Sequence, residues 1–506
     1  MKDILIDKAR GCLVGGAAGD ALGYAVEFSS LEDIVREYGP SGITGYKLDS
    51  KGVARFSDDT QMTLFTAEGL LSAYAADPDP SPESILRHIE EAYLAWLATQ
   101  TGFQLPLPTS WLTHVKDLWA RRAPGNTCIT ALSDLKSGLT PHNDSKGCGA
   151  VMRIAPIGIY YAAHTGQHNT EDLRRLTARI AADCARITHL NDLSTLASVF
   201  TALVVFECMR IHVIDRLTLR SIIASSLDGT LTAVPDSGKA GEFVAIIQKA
   251  LDLAGSSVPD REAISRLGEG WVAEETVGVA VFCVMRYIRD FEGCLVAAVN
   301  HDGDSDSTGA VAGNIIGAIL GYTGIPEKFR KGLELHDVLL SVADDLAGAS
   351  DATQIHERYV AHRPYGIDAG LKFISGMKFT PEHITELAPD DIFVFGSNLA
   401  GHHAGGAARV ARQRFGAIEG QGVGLQGQSY AIPTMQGGVE TIKPYVDDFI
   451  EVARECDQNT FYVTRIGCGI AGFRDEEIAP LFRDALKLYN VRLPESFVRI
   501  LLDDKS

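Results

Sequence analysis

The chain has little that would stiffen it covalently. Its nine cysteines are an odd number, with no Cys-x-x-Cys pair and no metal-finger spacing. That argues against a disulfide framework and predicts a reducing, cytoplasmic setting. Long apolar runs are missing too. No stretch of about 18 apolar residues occurs, so no membrane span is expected. The stretch Gly11 to Val26 imitates the apolar core of a signal peptide, but Asp20 interrupts it and Asp3 and Asp7 dilute the basic end. Basic charge is in deficit, with 46 Lys and Arg against 65 Asp and Glu and a net charge of -19. Such a surface repels phosphate backbones, which argues against nucleic acid as a partner. It leaves room for a small anionic ligand in a locally polarised pocket. Internal repeats and low-complexity tracts are absent. With 46% hydrophobic and 22% charged residues, the composition is that of a globular chain, and 506 residues allow two or three domains with real cores.

Two characters of sequence follow one another. In the first two-thirds, Ile85–Leu97, Glu171–Ile187, Leu193–Arg210 and Glu274–Phe291 carry apolar residues at three- and four-residue steps, which predicts helices. Gly- and Pro-rich breaks at Asp77–Pro82, Phe103–Pro108 and Val234–Gly241 predict loops. Near residue 380 the pattern changes. Asp391–Gly396, Ser429–Pro433 and Thr460–Ile466 are β-type runs, and helical patterns at Ala404–Phe415, Ile442–Cys456 and Glu476–Tyr489 alternate with them. This predicts a helical domain over 1–365, a linker over 366–382 within the join His356–Met377 and beyond, and an α/β domain over 383–506.

Two acidic clusters carry the chemistry. One is Ser57-Asp58-Asp59-Thr60; the other runs from Asp302 to Gly309 and holds Asp304, Asp306 and Ser307. Carboxylates so close repel one another unless a cation lies between them, and an oxygen-only donor set suits a hard divalent ion such as Mg²⁺. Ser57 or Asp58 also reads as a helix N-cap, which alone would explain the first cluster. The second cluster fails as an EF-hand, because the sixth and twelfth places hold Ser307 and Gly313 rather than Gly and Glu. It fits the DxDx[TV] loop of a haloacid-dehalogenase-type phosphatase if Cys294–Asn300 is a strand, but that reading gives Ser57–Thr60 no task. A solvated acidic loop would not explain the small residues that follow, Gly309, Ala312, Gly313, Gly317 and Ala318, which let a helix approach another backbone closely.

In order along the chain come Gly15–Gly23 with Glu27, Ser57–Thr60, Gly147–Arg153 and Gly303–Gly309. This series resembles the ADP-ribosylglycohydrolase family, which includes the enzyme that reactivates dinitrogenase reductase. The resemblance implies an all-α orthogonal helical bundle with two Mg²⁺ ions at the base of a cleft. It implies Ser57, Asp58, Asp59, Asp304, Asp306 and Ser307 as metal ligands and Glu27 as a mobile acidic residue beside them. It also implies that Gly147, Cys148 and Gly149 line the ADP-ribose, with closely spaced glycines letting backbone N–H groups approach phosphate oxygens. The family's Thr-His-Gly-His-Pro run is only half kept, as Thr188-His189-Leu190-Asn191-Asp192. His189 is therefore either a substrate contact or a structural histidine. Trp271, in Gly268–Glu275, resembles a segment on the adenine side, and core packing is its alternative.

Farther on, Asp391–Ala408 reads as strand, Gly-rich loop and helix, and Ile466–Phe473 as a second glycine loop after a strand. Together they resemble a macro domain, a module that binds or hydrolyses ADP-ribose. Asn398 then matches the ribose-contacting Asn, Gly405 and Gly406 the distal-ribose loop, and Gly469 with Phe473 the diphosphate loop.

These features predict an enzyme that cleaves an anomeric bond on ribose and releases ADP-ribose from a modified protein or a small conjugate. Glu27 is the first candidate for acid/base or gating work, and Asp59 the second. The phosphatase is the competing enzyme reading. A non-catalytic binder that neutralises an ADP-ribosyltransferase is the competing non-enzyme reading.

Overall fold

The computed structural model describes residues 2–102, 110–164, 169–361, 379–381, 383–456, 459–488 and 490–503. It divides into two compact units, one of Met1–Thr101 with Ser110–Arg363 and another containing Pro364–Ser506. The expected loop Phe103–Pro108 and most of the expected linker lie outside the described residues.

The first unit is helical. Its central contact joins the helix Lys2–Tyr24 to the helix Ser305–Leu320, which run antiparallel. Glycine is a poor helix former, yet Gly11, Gly15, Gly19 and Gly23 recur along one helix and Gly309, Gly313 and Gly317 along the other. The reason is steric. A Cβ on Gly15 would stand 2.4 Å from the carbonyl oxygen of Gly313, and one on Gly19 would stand 1.9 Å from that of Gly309. Asn314 Nδ2 adds a hydrogen bond to the Cys12 carbonyl at 2.8 Å. At the end of the stripe Gly23 faces Ser305, so the residues after the first helix come up against the second acidic cluster.

The expected helices at 85–97 and 193–210 lie within Pro82–Thr101 and Asp192–Arg210, and the one expected at 171–187 sits one residue earlier, at Thr170–Arg186. The expected helix Glu274–Phe291 is two helices, Ala273–Arg286 and Phe291–Val299. The Asp290 carboxylate caps the second by accepting from Gly293 N at 2.9 Å. Cys294–Asn300 is therefore mainly helical and not a strand, which removes the framework of the phosphatase reading. Among the described residues one helix, Asp192–Arg210, is long and apolar enough to cross a membrane, but 89% of its apolar window is buried within the protein.

The second unit carries a five-stranded sheet of β1 (Asp391–Ser397), β2 (Gly424–Gln426), β3 (Ser429–Pro433), β4 (Thr460–Val463) and β5 (Val491–Arg492). The order is β2-β3-β1-β4-β5. β1 is parallel to β3 and β4, β4 is parallel to β5, and β2 is antiparallel to β3. Both faces are covered, as befits a largely parallel sheet. Ile392 and Val394 pack with Phe449 of the helix Val439–Glu455, whereas Phe393 and Phe395 pack with Ala408 and Ala411 of the helix Gly406–Arg414. The helix expected over Glu476–Tyr489 is instead a short turn at Asp475–Ile478 followed by tighter turns at Ala479–Phe482 and Asp484–Lys487. Pro480, which has no N–H, breaks the α pattern there.

Gly313→Ala would place a methyl carbon 2.1 Å from the Gly15 carbonyl oxygen, and is expected to lower stability by about 1–3 kcal/mol or more. Gly241→Ala is the control. It sits in a helix with nothing within 4 Å of the new Cβ and is expected to hold or raise stability. Urea unfolding midpoints of the two variants check this.

Candidate active site

The floor of the site is made of two helix starts. Ser57 caps the helix Asp58–Ala76, its hydroxyl accepting from Asp59 N at 3.2 Å. Asp304 caps the helix Ser305–Leu320, accepting from Ser307 N at 3.3 Å, and Asp306 Oδ1 accepts from the same N–H at 2.9 Å. Asp20, buried in the first helix, holds the first cap in place. Its carboxylate accepts from Ser57 N at 2.8 Å, Thr60 N at 2.9 Å and Thr60 Oγ1 at 2.5 Å. The clusters, far apart in sequence, open on one cleft of about 730 Å³, lined by Glu27, Asp58, Asp59, Asp304, Asp306 and Ser307 among others. Ser57 lies behind that lining, fully buried, with its hydroxyl engaged in the cap.

The electrostatics follow from burying carboxylates together. Glu27 is pushed up to about 10, first by burial and then by Asp306, Asp304 and Asp58. Asp20 is pushed up to about 7 by burial and then by Asp306. Asp58, Asp59 and Asp304 are all held well above the usual carboxylate range by burial and then by Asp306. Glu27 Oε2 and Asp59 Oδ2 are buried without a hydrogen-bond partner. Orphaned buried oxygens among repelling carboxylates are what a hard divalent cation would satisfy, and the donors are the oxygens it prefers. Among the described residues no three His, Cys, Asp or Glu side chains close into a finished coordination shell. The acidic groups ring the floor instead.

Gly147, Cys148 and Gly149 line the wall of the cleft, as expected of residues facing a ligand there. Gly147 N–H is committed to Ser145 Oγ at 3.4 Å and Cys148 N–H to the Trp271 carbonyl at 3.3 Å, so neither amide is free for a phosphate. The need for glycine at 149 is space: a Cβ there would meet Cys128 Sγ at 2.9 Å and His189 Cε1 at 3.0 Å. The Cys148 thiol donates to Asp304 Oδ2 at 2.7 Å, tying this wall to the acidic floor. His189 is buried, lines the cleft, and its pKa is pushed down to about 3 by burial and then by Arg153. Trp271 is not core. It is 40% exposed and stacks on Phe28, itself 77% exposed, with ring centroids 6.2 Å apart.

Sequence reading assigned no role in the site to Asp20, Phe28 or Arg121. Asp20 had one signal, a lone acid in an apolar glycine-rich helix. Arg121, an exposed guanidinium on the cleft, and Phe28 had none.

In the second unit the two glycine loops leave the C-terminal ends of β1 and β4, where open α/β sheets bind ligands. They approach each other: a Cβ on Gly405 would lie 3.2 Å from Ile470 Cδ1. Gly406 opens its helix at φ +53°, Gly469 faces open space, and Phe473 packs half-buried with its N–H on the Gly467 carbonyl at 3.1 Å. The Asn398 amide braces its own loop, donating to His402 O at 3.0 Å and accepting from His402 N at 3.2 Å. A ribose contact there would have to displace that brace.

Comparison with known proteins adds the following. The family model for ADP-ribosylglycohydrolase matches residues 1–355. An uncharacterized protein of Archaeoglobus fulgidus is 27% identical over 354 residues, 67% of this chain and 96% of that protein. ADP-ribosylhydrolase ARH3 of Bos taurus is 23% identical over 359 residues, 66% of this chain and 91% of that one. The ADP-ribosyl-(dinitrogen reductase) glycohydrolase of Rhodospirillum rubrum is 25% identical over 336 residues, 65% and 91% respectively.

Crowded carboxyls make the metal-free protein pH-sensitive. A carboxyl raised in the native state contributes stability that is complete below its ordinary range and is lost as pH rises through the native value. For Asp20 and Glu27 those values are about 7 and about 10. In EDTA, Glu27→Gln is therefore expected to be more stable than the parent at pH 8, by about 1 kcal/mol, with the gap shrinking toward pH 5. Thermal unfolding across that range checks it.

Proposed function

The chain belongs to the ADP-ribosylglycohydrolase family and is a glycosyl hydrolase acting on ADP-ribose conjugates; from that premise we propose that it removes ADP-ribose from a modified protein or small conjugate in a Mg²⁺-dependent reaction, reversing ADP-ribosylation. The observation that carries this reading is the meeting of two acidic helix starts, Ser57–Asp59 and Asp304–Ser307, at one cleft. Asp58, Asp59, Asp304, Asp306 and Ser307, which line the cleft, would hold Mg²⁺, with Ser57 behind them able to offer only the hydroxyl lone pair its cap leaves over; the ion's chemistry is to polarise oxygen and to template ribose hydroxyls and water.

The chain's own groups have separable tasks. Breaking the bond at the anomeric carbon builds positive charge on the ribose, and the ring of carboxylates presents negative charge toward it. Glu27, whose carboxyl is raised by burial and by Asp306, Asp304 and Asp58, lines the cleft beside the proposed metal ligands and is the group placed to exchange a proton with the departing acceptor or the attacking water. Arg121 is the one cationic side chain lining the cleft among the described residues, a counter-charge for the substrate's phosphates.

Asp304→Asn is expected to cut release of ADP-ribose from modified protein by at least about a hundredfold. It should also abolish the rise in thermal midpoint that Mg²⁺ gives the parent protein, since an ion stabilises the state that binds it. Undiminished release, or an unchanged Mg²⁺ shift, removes the metal assignment.

For the second unit we propose a macro-like module that binds ADP-ribose between the loops 396–406 and 467–473. Their approach at the ends of parallel strands supports it. Calorimetry of the full chain with ADP-ribose is expected to give two sites. Gly469→Glu, placed in open space, should remove one of them without changing the unfolding temperature.

A further inference from the structure

Behind the cleft wall lies a chain of polar contacts that the acidic site does not account for. Arg153 is completely buried, its guanidinium 4.2 Å from the centre of the Tyr93 ring. It donates from Nη2 to Thr188 Oγ1 at 2.7 Å. Thr188 Oγ1 in turn lies 2.8 Å from Nδ1 of His189. The far edge of that imidazole faces the cleft: a Cβ on Gly147 would stand 3.4 Å from Nε2, and Nε2 has no acceptor among the described residues.

The direction of these hydrogen bonds is fixed by chemistry. A guanidinium has only donors, so Thr188 Oγ1 must accept from Arg153, and its own proton is left to give. Two atoms are candidates to receive it, His189 Nδ1 and Cys128 Sγ. Imidazole nitrogen is much the stronger acceptor, and thiol sulfur a weak one. The field of Arg153 acts in the same sense, because a lone pair facing a buried cation is favoured over an N–H facing it. With Nδ1 accepting, the single imidazole proton sits on Nε2.

We propose that Arg153 and Thr188 are positioning residues that lock His189 as the neutral Nε2–H tautomer, so that it presents a fixed hydrogen-bond donor to an oxygen of the ADP-ribose in the cleft. This rests on the ADP-ribose reading for the identity of the ligand, but the tautomer is a property of the free protein. The hydroxyl and the ring form one unit, and Leu190 lies outside it, exposed.

The test uses the full chain labelled with ¹⁵N-histidine, with His189 assigned through His189→Gln. Long-range ¹H–¹⁵N spectra of the parent should show Nδ1 bare and Nε2 protonated, unchanged between pH 5 and 8. Thr188→Ser should give the same spectrum. Thr188→Val should give a mixed or inverted tautomer and weaken ADP-ribose binding about tenfold, with KM raised and kcat nearly kept. A parent spectrum with Nδ1 protonated overturns the proposal, as does a Thr188→Val spectrum identical to the parent's. If the tautomer is as stated and no form binds ADP-ribose, the ligand assignment fails and the lock stands.

Discussion

Backbone-to-backbone contact between the helices Lys2–Tyr24 and Ser305–Leu320 is the constraint on which the rest depends. Glycine at four-residue spacing on both helices costs helix propensity at every position, about 0.8–1.0 kcal/mol each relative to alanine. The return is an approach that no Cβ would permit. The contact sets more than stability. One helix carries Asp20, which anchors the first acidic cap, and the other begins at the second cap. Their separation is therefore fixed by the thickness of two polypeptide backbones rather than by flexible side chains.

On that frame the protein concentrates charge in a place hostile to it. Five carboxyl groups, of Asp20, Glu27, Asp58, Asp59 and Asp304, are raised by burial and by the charge of Asp306 in a largely buried volume. Helix N-termini soften the cost, because the amides of the first turn favour negative charge. They do not remove it, as the orphaned oxygens of Glu27 and Asp59 indicate. Charge is thus left uncompensated at the floor and is matched elsewhere, for instance where Glu334 is gripped by Arg55 and Arg122. A few under-satisfied polar groups held by a well-packed surround are what functional sites commonly show.

Much of this was legible in the chain. The two acidic clusters are read as helix starts from their Ser and Asp residues, and the small residues after Asp306 signal close packing. Their partners at Gly11–Gly23 are harder to see, since an apolar glycine-rich stretch looks alike whether it packs on a helix or merely resembles a leader. The run Cys294–Asn300 misleads because a short apolar segment has no readable period. The glycines at 147 and 149 suggest phosphate approach in the sequence, and the structure adds another reason for Gly149, room for Cys128 and His189. Nothing in one-dimensional spacing reveals which side of a backbone is crowded. Asn398 is a similar case. Its type suits a ribose, and only the fold shows that its amide also braces its own turn.

The strap of residues 269–273 has a mechanical consequence. Glu269 O receives Asp304 N at 2.8 Å, Trp271 O receives Cys148 N at 3.3 Å, and Ala273 N reaches Lys146 O at 2.8 Å. One short segment is thus stitched both to the wall of the cleft and to the cap at its base. Wall and base then behave as a single lever: a push on the aromatic lip at Trp271 is felt at the Asp304 backbone, and slack in one is slack in the other.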